Sequence, residues 1–285
     1  MRRGGVQVVK GQGEGSEGVR LGTDWGRSRL RPQLRLPPPW PADKMGHGTD
    51  PAADGAFRGG SGMSAPVEVV AHRGANREAP ENTLPAFQRA LEIGVQGIEL
   101  DVHLTRDGVP IVHHDPFLLE TAHDRGNTPI ASLDLATVQR MSDAPTLAEV
   151  LELVEGRCRL YIEIKAAPAV DAVVALLGDR RSWCAVHSFD HRVSAKVRSL
   201  DPELATGILL VSYLVDTASA MRASGARDVW QQADFIDGPL VDAVHGGGGR
   251  VVAWTVNAID RARALIDLEV DIICTDVPRE MIESL

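Results

Sequence analysis

Short apolar runs alternate with segments of helical periodicity from residue 67 to the end of the chain, and this alternation is the strongest constraint on the fold. Eight runs are predicted as strands: 67–73, 97–104, 159–166, 183–189, 206–211, 235–238, 250–257 and 271–276. The predicted helices are 84–93, 146–154, 169–177, 192–200, 214–224, 240–246 and 258–268. Strands that alternate with helices form parallel β/α units. The pattern therefore predicts an α/β protein with a TIM-type (β/α)8 barrel, as a single domain over residues 63–285.

An open, doubly wound sheet is the alternative fold. It loses its usual support because neither a GxGxxG pattern nor a phosphate-binding P-loop follows the first predicted strand. Aromatic residues make up only 4% of the chain, so the core must be built from Val, Leu, Ile and Ala. That composition suits buried parallel strands covered by helices.

Residues 1–62 differ in composition from the rest. They hold 14 of the 28 glycines and 6 of the 17 prolines, which predicts a disordered extension outside the domain. The extension carries ten Lys/Arg and six Asp/Glu, and the remaining residues carry 20 Lys/Arg and 33 Asp/Glu. A domain this acidic is a poor candidate for nucleic-acid binding.

Three cysteines lie far apart without a CxxC pair, which favours a reduced, cytoplasmic protein. No apolar stretch follows the basic residues at the start, so a signal peptide is not expected. No run of about 18 apolar residues occurs, so no integral membrane segment is expected. The sequence leaves the oligomeric state open.

Polar residues recur at the carboxyl ends of the predicted strands. In a barrel these ends meet on one rim, where active sites are built. The residues concerned are His72 and Arg73 on strand 1, Glu99 and Asp101 on strand 2, Glu163 and Lys165 on strand 3, Asn257 on strand 7 and Asp276 on strand 8. Because a polar group inside an apolar strand costs free energy unless it is paired, this convergence predicts a functional site.

The carboxylates of strands 2 and 3 predict a metal site. Glu99 and Asp101 are two residues apart, so their side chains point to the same face, and Glu163 and Lys165 repeat that spacing. Three carboxylates in one mouth would repel one another without a cation, and oxygen ligands favour a hard ion such as Mg²⁺ or Ca²⁺. An ion pair of Glu163 with Lys165 and no metal is the alternative.

His72 and His114 are predicted as an acid–base pair because histidine titrates near neutral pH. His113 and His114 are adjacent, so only one of the two is expected to face the mouth. Arg73 can donate two parallel hydrogen bonds to a phosphate, and Lys165 adds a point charge. Cationic side chains with a divalent ion suit a phosphodiester, whose transition state gathers negative charge.

Several motifs resemble the glycerophosphodiester phosphodiesterase family over about residues 66–285. They are His72-Arg73-Gly74, Pro80-Glu81-Asn82-Thr83, Glu99-Leu100-Asp101, Thr105-Arg106-Asp107-Gly108, His114-Asp115-Pro116, Pro145-Thr146-Leu147, Glu163-Ile164-Lys165, Ser188-Phe189-Asp190, Trp254-Thr255-Val256-Asn257 and Thr275-Asp276-Val277-Pro278. The first half of this series is highly specific, and single later motifs are weaker.

The resemblance implies metal-dependent hydrolysis of a small glycerophosphodiester to glycerol 3-phosphate and an alcohol. It implies His72 and His114 as general acid and base, Glu99, Asp101 and Glu163 as metal ligands, Arg73 and Lys165 on the phosphate, and Glu81, Asn82 and Trp254 lining the mouth. Two of these assignments have an ordinary alternative. Asn82 or its neighbour Thr83 can cap the following helix, and Trp254 can belong to the core.

The chain offers no obvious nucleophile, since its cysteines lie in apolar surroundings and no serine adjoins either histidine in sequence. We therefore expect a glycerol hydroxyl of the substrate to attack phosphorus and form a cyclic phosphate, which gains from proximity. Attack by a metal-bound water is the alternative mechanism.

Two departures from the family pattern leave the substrate open. Segment 117–144 is short, and His187 precedes Ser188 where a small or polar residue is commoner in the family. His187 is either a substrate contact or a spectator. The alternative functions are a lysophospholipase D-type phosphodiesterase acting on lysophospholipids, and a catalytically silent barrel that binds phosphodiesters.

Overall fold

The computed structural model describes residues 67–119 and 127–285, so the extension predicted at 1–62 lies outside the described residues. The strands are β1 (Glu68–His72), β2 (Gly97–Leu104), β3 (Pro110–Val112), β4 (Phe117–Leu119), β5 (Asn127–Pro129), β6 (Arg159–Ile164), β7 (Cys184–Ser188), β8 (Ala205–Leu210), β9 (Asp228–Gln232), β10 (Arg250–Trp254) and β11 (Ile272–Thr275).

Eight of these strands close a parallel barrel in the order β1, β2, β6, β7, β8, β9, β10, β11. The barrel closes because β1 pairs in parallel with both β2 and β11. The predicted TIM-type fold is therefore confirmed. Strand β3 adds to β2 in the antiparallel direction, and β4 and β5 form a separate antiparallel hairpin.

Helices cover the outside of the barrel. In the described residues they are α1 (Leu84–Ile93), α2 (Leu135–Met141), α3 (Leu147–Val154), α4 (Val170–Leu177), α5 (His191–Leu200), α6 (Thr217–Ser224), α7 (Gly238–Gly246), α8 (Ile259–Ile266) and α9 (Pro278–Ser284). None of them, among the residues described, is long and apolar enough to cross a membrane. Helices α2 and α9 were not predicted from the sequence.

The strand predicted at 235–238 is wrong. Phe235 ends a 3-10 helix, and Gly238 begins α7 behind the N-cap Asp237. The strand at this place is β9, whose Asp-Val-Trp-Gln-Gln sequence has too few apolar residues to be recognised as buried. The amide of its buried Gln231 donates to the Ser212 carbonyl at 3.3 Å, so the donor of this polar side chain is satisfied.

Two glycines make room for the large aromatic side chains that fill the barrel. Tyr161 and Trp230 pack edge to face inside it, with ring centroids 5.2 Å apart. A Cβ on Gly97 of β2 would lie 2.8 Å from Cε2 of Tyr161, and one on Gly207 of β8 would lie 3.0 Å from Cδ1 of Trp230. The absence of a side chain at these two positions therefore lets a chain poor in aromatics fill its barrel with two of them.

An ion-pair network closes the amino-terminal end of the barrel. Arg250 Nε lies 2.9 Å from Asp228 Oδ1, and Arg227 Nε contacts the same oxygen at 2.9 Å. Burial alone would raise the pKa of Asp228, but the two guanidinium groups outweigh it and lower that pKa to about 2. The Tyr161 hydroxyl donates to Glu68 Oε1 at 2.8 Å in the same layer. This end of the barrel therefore serves stability, and the opposite end is available for a site.

Candidate active site

A cavity of about 180 Å³ opens at the carboxyl end of the barrel. Its lining residues are His72, Arg73, Glu99, His114, Glu163, Lys165, His187, Phe189, Leu209, Trp230, Trp254 and Cys274. Seven of the ten residues predicted for the site line the cavity. The other three contact lining residues: Glu81 and the backbone amide of Asn82 bind Arg73, and Asp101 binds Lys165.

The turn after β1 brings His72 and Arg73 to the cavity. Arg73 and Gly74 both have positive φ, at 58° and 79°, which produces a sharp turn toward α1. A Cβ on Gly74 would lie 2.8 Å from the backbone of Ala86, so only glycine lets this turn pack against the helix. The amide of Arg73 donates to Glu99 Oε2 at 3.1 Å, which ties the turn to β2.

His72 is oriented by the carboxylate of Asp276, which directly follows β11. Its Nδ1 lies 2.7 Å from Asp276 Oδ1, and its Nε2 lies 4.0 Å from Glu99 Oε2 inside the cavity. Asp276 also accepts hydrogen bonds from the amides of Asn76, at 2.6 Å, and Asn257, at 2.8 Å. Burial opposes ionisation of Asp276, but these hydrogen bonds outweigh it and hold its pKa far below the ordinary value.

The ionised state of Asp276 decides the tautomer of His72. A carboxylate can only accept hydrogen bonds, so Nδ1 of His72 must carry the proton. In the neutral imidazole, Nε2 then carries the lone pair and faces the cavity. This is the form that a general base requires.

His114 reaches the cavity from the segment after β3. Its Nδ1 lies 2.8 Å from Asp115 Oδ1, and its side chain is about a third exposed. His103 Nε2 donates to the His114 carbonyl at 3.1 Å, which holds this segment against β2. His113 turns instead toward the Asp115 carbonyl. Only His114 of the adjacent pair lines the cavity, as the sequence analysis expected.

Glu99, Glu163 and His187 bring ligand atoms within 4.8 Å of one another, so they form a candidate metal site. Burial raises the pKa of Glu99 well above its ordinary value, and the nearby charges of Asp101 and Glu163 raise it further. Burial also raises the pKa of Glu163 to about 7, even though Lys165 opposes the shift. The positive charge near both carboxylates is therefore too small to offset their burial.

His187 is almost fully buried, at 1% exposed, and stacks on Trp230 with ring centroids 4.1 Å apart. Its Nε2 lies 3.9 Å from Glu99 Oε1, and its Nδ1 has no hydrogen-bond partner among the described residues. Burial lowers its pKa to about 3, so the imidazole is neutral and can donate a lone pair. Two undercompensated carboxylates and an unpartnered imidazole fit a divalent cation.

Asp101 lies beside this cluster and has its own cations. Lys165 Nζ lies 2.8 Å from Asp101 Oδ1, and the Asn82 amide donates to Oδ2 at 2.8 Å. Arg73 Nε is 3.3 Å from Oδ2, at an angle that makes no hydrogen bond. Lys165 Nζ also lies 2.9 Å from Glu163 Oε1. The predicted pair of Glu163 and Lys165 therefore exists, but one ammonium serves two of the three carboxylates.

The glycerophosphoryl diester phosphodiesterase family model matches residues 72–280, which include every residue of this site. The chain belongs to this family. Its members hydrolyse phosphoric diesters, so the protein is a phosphodiesterase.

Relatives and solved structures agree with this assignment. A glycerophosphodiester phosphodiesterase of Caldanaerobacter subterraneus subsp. tengcongensis is 30% identical over 75% of this chain and 96% of its own length. A probable glycerophosphodiester phosphodiesterase 2 of Mycobacterium tuberculosis is 32% identical over 73% of this chain and 86% of its own. An Oleispira antarctica phosphodiesterase solved with its product sn-glycerol-3-phosphate is 25% identical, with a TM-score of 0.68 over 76% of this chain and 96% of that chain.

Three residues of the motif Pro80-Glu81-Asn82-Thr83 have separate structural roles in this phosphodiesterase. Thr83, not Asn82, caps α1 by accepting a hydrogen bond from the Ala86 amide at 3.4 Å. Asn82 is left to hold Asp101, and Glu81 accepts a 2.9 Å hydrogen bond from Arg73 Nη1. Glu81 and Asn82 therefore position charged groups of the site and do not line its cavity.

One wall of the cavity is apolar, formed by Phe189, Leu209, Trp230 and Trp254. Phe189 packs edge to face on Trp254, with ring centroids 5.6 Å apart. Nε1 of Trp254 is buried and has no hydrogen-bond partner among the described residues. Trp254 is thus part of the cavity wall, with a donor left unused, and it is not an enclosed core residue.

Several residues that position the site carry no sequence signal of that role. Asp276 and Asn257 were visible as polar residues at strand ends, but the contact of Asp276 with His72 joins segments about 200 positions apart, and Asn257 acts through its hydrogen bond to Asp276. The sequence gives no sign that His103 positions the site, because His103 lies within β2 among buried residues. His187 did stand out as a departure from the family pattern, and the structure places it in the candidate metal site.

Proposed function

We propose that this phosphodiesterase hydrolyses glycerophosphodiesters to glycerol 3-phosphate and an alcohol. The observation that carries the proposal is the convergence of three histidines, two buried carboxylates and two cationic side chains on one cavity at the rim of the barrel. The Oleispira antarctica structure, which holds sn-glycerol-3-phosphate as its product, supports the same product for this chain.

The proposed cofactor is Mg²⁺ or Ca²⁺, held by Glu99, Glu163 and Asp101. A bound divalent ion would neutralise the phosphate oxygens and lower the pKa of a nearby hydroxyl. His187 competes with Asp101 for the place of third ligand, because its nitrogen lies within 4.8 Å of oxygen atoms of Glu99 and Glu163. A site with only oxygen ligands favours these hard ions, whereas an imidazole ligand would extend the choice to softer ones.

Arg73 and Lys165 are proposed to bind the phosphate. Both line the cavity, and both are anchored from behind, Arg73 by Glu81 and Lys165 by Asp101. Although burial opposes it, the charges of Asp101 and Glu163 raise the pKa of Lys165, so its ammonium stays protonated. Trp254 and Phe189 would contact the less polar part of the substrate.

The protons are moved by the two histidines. Nε2 of His72, held in its base form by Asp276, would take the proton from the glycerol 2-hydroxyl as that oxygen attacks phosphorus. His114, which can exchange protons with solvent, would protonate the leaving alcohol. Water would then open the cyclic phosphate, with the two histidines in exchanged roles.

Burial keeps the cysteines from acting as nucleophiles, which leaves a hydroxyl of the substrate or water as the attacking group. Cys158, Cys184 and Cys274 are all free and buried. Burial raises the pKa of Cys158 and of Cys184 to about 12, so neither supplies a thiolate near neutral pH. Free thiols also agree with a cytoplasmic location, which remains a prediction.

Two measurements test this function. Replacing either His72 or His114 by alanine should lower kcat on glycerophosphocholine at least about 100-fold, the usual scale for loss of a general acid or base. An analogue with hydrogen in place of the glycerol 2-hydroxyl should not be cleaved. If the analogue is cleaved as fast as the parent, the attacking group is water and the cyclic phosphate is excluded.

A further inference from the structure

The register of three neighbouring barrel strands places a row of side chains in the catalytic cavity. Asp101 of β2 pairs with Glu163 of β6, and Glu163 pairs in turn with His187 of β7. Residues in register on neighbouring parallel strands point to the same side of the sheet. Glu163 therefore lies between a carboxylate on one side and an imidazole on the other. Glu99 reaches the imidazole side, because its Oε1 lies 3.9 Å from Nε2 of His187.

The two sides of Glu163 differ in how their polar atoms are satisfied. Both carboxylate oxygens of Asp101 have a partner, and Lys165 Nζ is one of them at 2.8 Å. Nδ1 of His187 has no partner in the part of the chain that the structure describes, and the 3.9 Å from Nε2 to Glu99 is too long for a hydrogen bond. A buried polar group that makes no hydrogen bond costs free energy. The imidazole side therefore has the unsatisfied atoms that a ligand could bind.

Packing holds the His187 ring in its position beside the carboxylates. The ring is buried and stacks on Trp230, with 16° between the two ring planes. Trp230 packs in turn on the edge of Tyr161. Gly207 pairs with His187 across β7 and β8, and its lack of a side chain leaves room for the Trp230 ring. A side chain fixed by packing in this way is preorganised to bind an ion.

We propose that His187, together with Glu99 and Glu163, binds a first-row transition ion of the Zn²⁺ and Co²⁺ class. The inference rests on the proposed function, because it names a second class of cofactor for the same cavity. Ligand atoms of the three side chains lie within 4.8 Å of one another, so small side-chain shifts bring all three onto one ion. Imidazole nitrogen is a ligand that suits these ions, whereas Mg²⁺ and Ca²⁺ prefer oxygen.

The third ligand is what distinguishes the two classes of ion. A hard ion would take an oxygen of Asp101, and a transition ion would take Nε2 of His187. Both would use the carboxylates of Glu99 and Glu163, so the two ions compete for one cavity. His187 is therefore a residue that sets metal selectivity, and its loss should affect one class of ion and spare the other.

Calorimetric titration of the chelator-treated protein with Co²⁺ alone, and separately with Mg²⁺ alone, tests this selectivity. We expect Co²⁺ to bind at least about 10-fold more tightly than Mg²⁺, because nitrogen ligation favours the transition ion. His187→Gln should lower the affinity for Co²⁺ at least about 10-fold, the scale on which metal sites respond to a lost contact. The same variant should change the affinity for Mg²⁺ less than about threefold. His114→Gln is the matched control and should leave both affinities unchanged, because His114 lines the same cavity but lies outside the cluster of three ligands.

The wild-type protein provides a second readout that needs no variant. When one nitrogen of a neutral imidazole binds a metal through its lone pair, the other nitrogen carries the proton. Nδ1 of His187 is buried, so its N–H proton should exchange slowly with water. We expect this proton as a hyperfine-shifted signal in the ¹H NMR spectrum of the Co²⁺ protein in H₂O. The signal should be absent in D₂O, in His187→Gln and in the Mg²⁺ protein.

Each contrary result has its own meaning. If His187→Gln changes the affinities for Co²⁺ and Mg²⁺ by the same factor, or changes neither, the inference is overturned and the proposed function stands. A Co²⁺ protein without a shifted exchangeable proton would overturn it as well. A loss of Co²⁺ affinity in His114→Gln and not in His187→Gln would assign the ion to the other histidine. Because binding is measured without substrate, a protein that binds Co²⁺ through His187 but cleaves no glycerophosphodiester would contradict the proposed function alone.

Discussion

The carboxylate of Asp276 accepts a 2.7 Å hydrogen bond from Nδ1 of His72, across the seam where the last strand of the barrel meets the first. The amides of Asn76 and Asn257 donate to the same carboxylate and keep it ionised. Since an ionised carboxylate must accept, the imidazole presents the Nε2 lone pair to the cavity. Asp276 is therefore a positioning residue for the proposed base.

Asp276→Asn should leave the fold intact but lower kcat by on the order of 100-fold or more, because an amide can donate to Nδ1 and so move the imidazole proton to Nε2. Steady-state kinetics and the melting temperature measure the two effects separately. Asp115→Asn is the matched control on the other histidine. The Asp115 side chain is 72% exposed, so its replacement should cost less than about 10-fold. An Asp276→Asn enzyme within threefold of wild type would remove Asp276 from the mechanism.

The third metal ligand can be identified by calorimetric titration with Mg²⁺ alone. We expect Asp101→Asn to lower the affinity at least about 10-fold and His187→Gln to change it less than threefold, because Mg²⁺ prefers oxygen ligands. Glu99→Gln is the positive control, since Glu99 belongs to both possible ligand sets. The reverse order of the first two variants would place His187 among the ligands in place of Asp101.

Gly97→Ala should destabilise the barrel by roughly 1–3 kcal/mol, the usual cost of overpacking a core. The added methyl would lie 2.8 Å from the Tyr161 ring and 3.0 Å from Cγ2 of Val70, so both side chains must move. Gly246→Ala is the control, because its Cβ would meet no atom within 4 Å and its φ is not positive. Urea denaturation gives both values. A Gly97→Ala protein as stable as wild type would show that Tyr161 has room to move.

The Asp228 network should make stability depend on pH. Its pKa in the folded protein, about 2, lies below the ordinary value of 3.8, so its contribution is present above pH 4 and is lost as pH falls toward 2. Between pH 6 and pH 3, the free energy of unfolding of the wild type should fall by roughly 1 kcal/mol more than that of Asp228→Asn. Parallel curves for the two proteins would show that Asp228 has an ordinary pKa.

The periodic elements of the fold could be predicted because their sequences carry the signal of burial. Helix α1 matches its predicted bounds, since its apolar spacing and the cap at Thr83 are both local features. Strand β9 could not be recognised, because its buried Gln231 is polar and finds its hydrogen-bond partner in the loop after β8. A local pattern shows which residues are apolar but does not show which polar groups find partners.

The same distinction between local patterns and contacts made by polar groups decides which features of the candidate site were predictable. Placement of the strand-end residues at one mouth follows from the barrel itself, so His72, Glu99 and Glu163 were predictable. Which residue holds or orients which charged group could not be predicted, because it depends on contacts between distant segments. The Asn82 side-chain amide donates to Asp101 Oδ2 at 2.8 Å. This contact joins two separate motifs, and neither motif reveals it alone.

Release of glycerol 3-phosphate from glycerophosphocholine, followed by ³¹P NMR, tests the central claim most directly. The protein is first treated with a chelator and then supplied with Mg²⁺ or Ca²⁺. We predict no turnover after chelation, recovery with the added ion, and no recovery in Glu99→Gln. Full activity after exhaustive chelation, or no glycerol 3-phosphate at any metal concentration, would contradict the account.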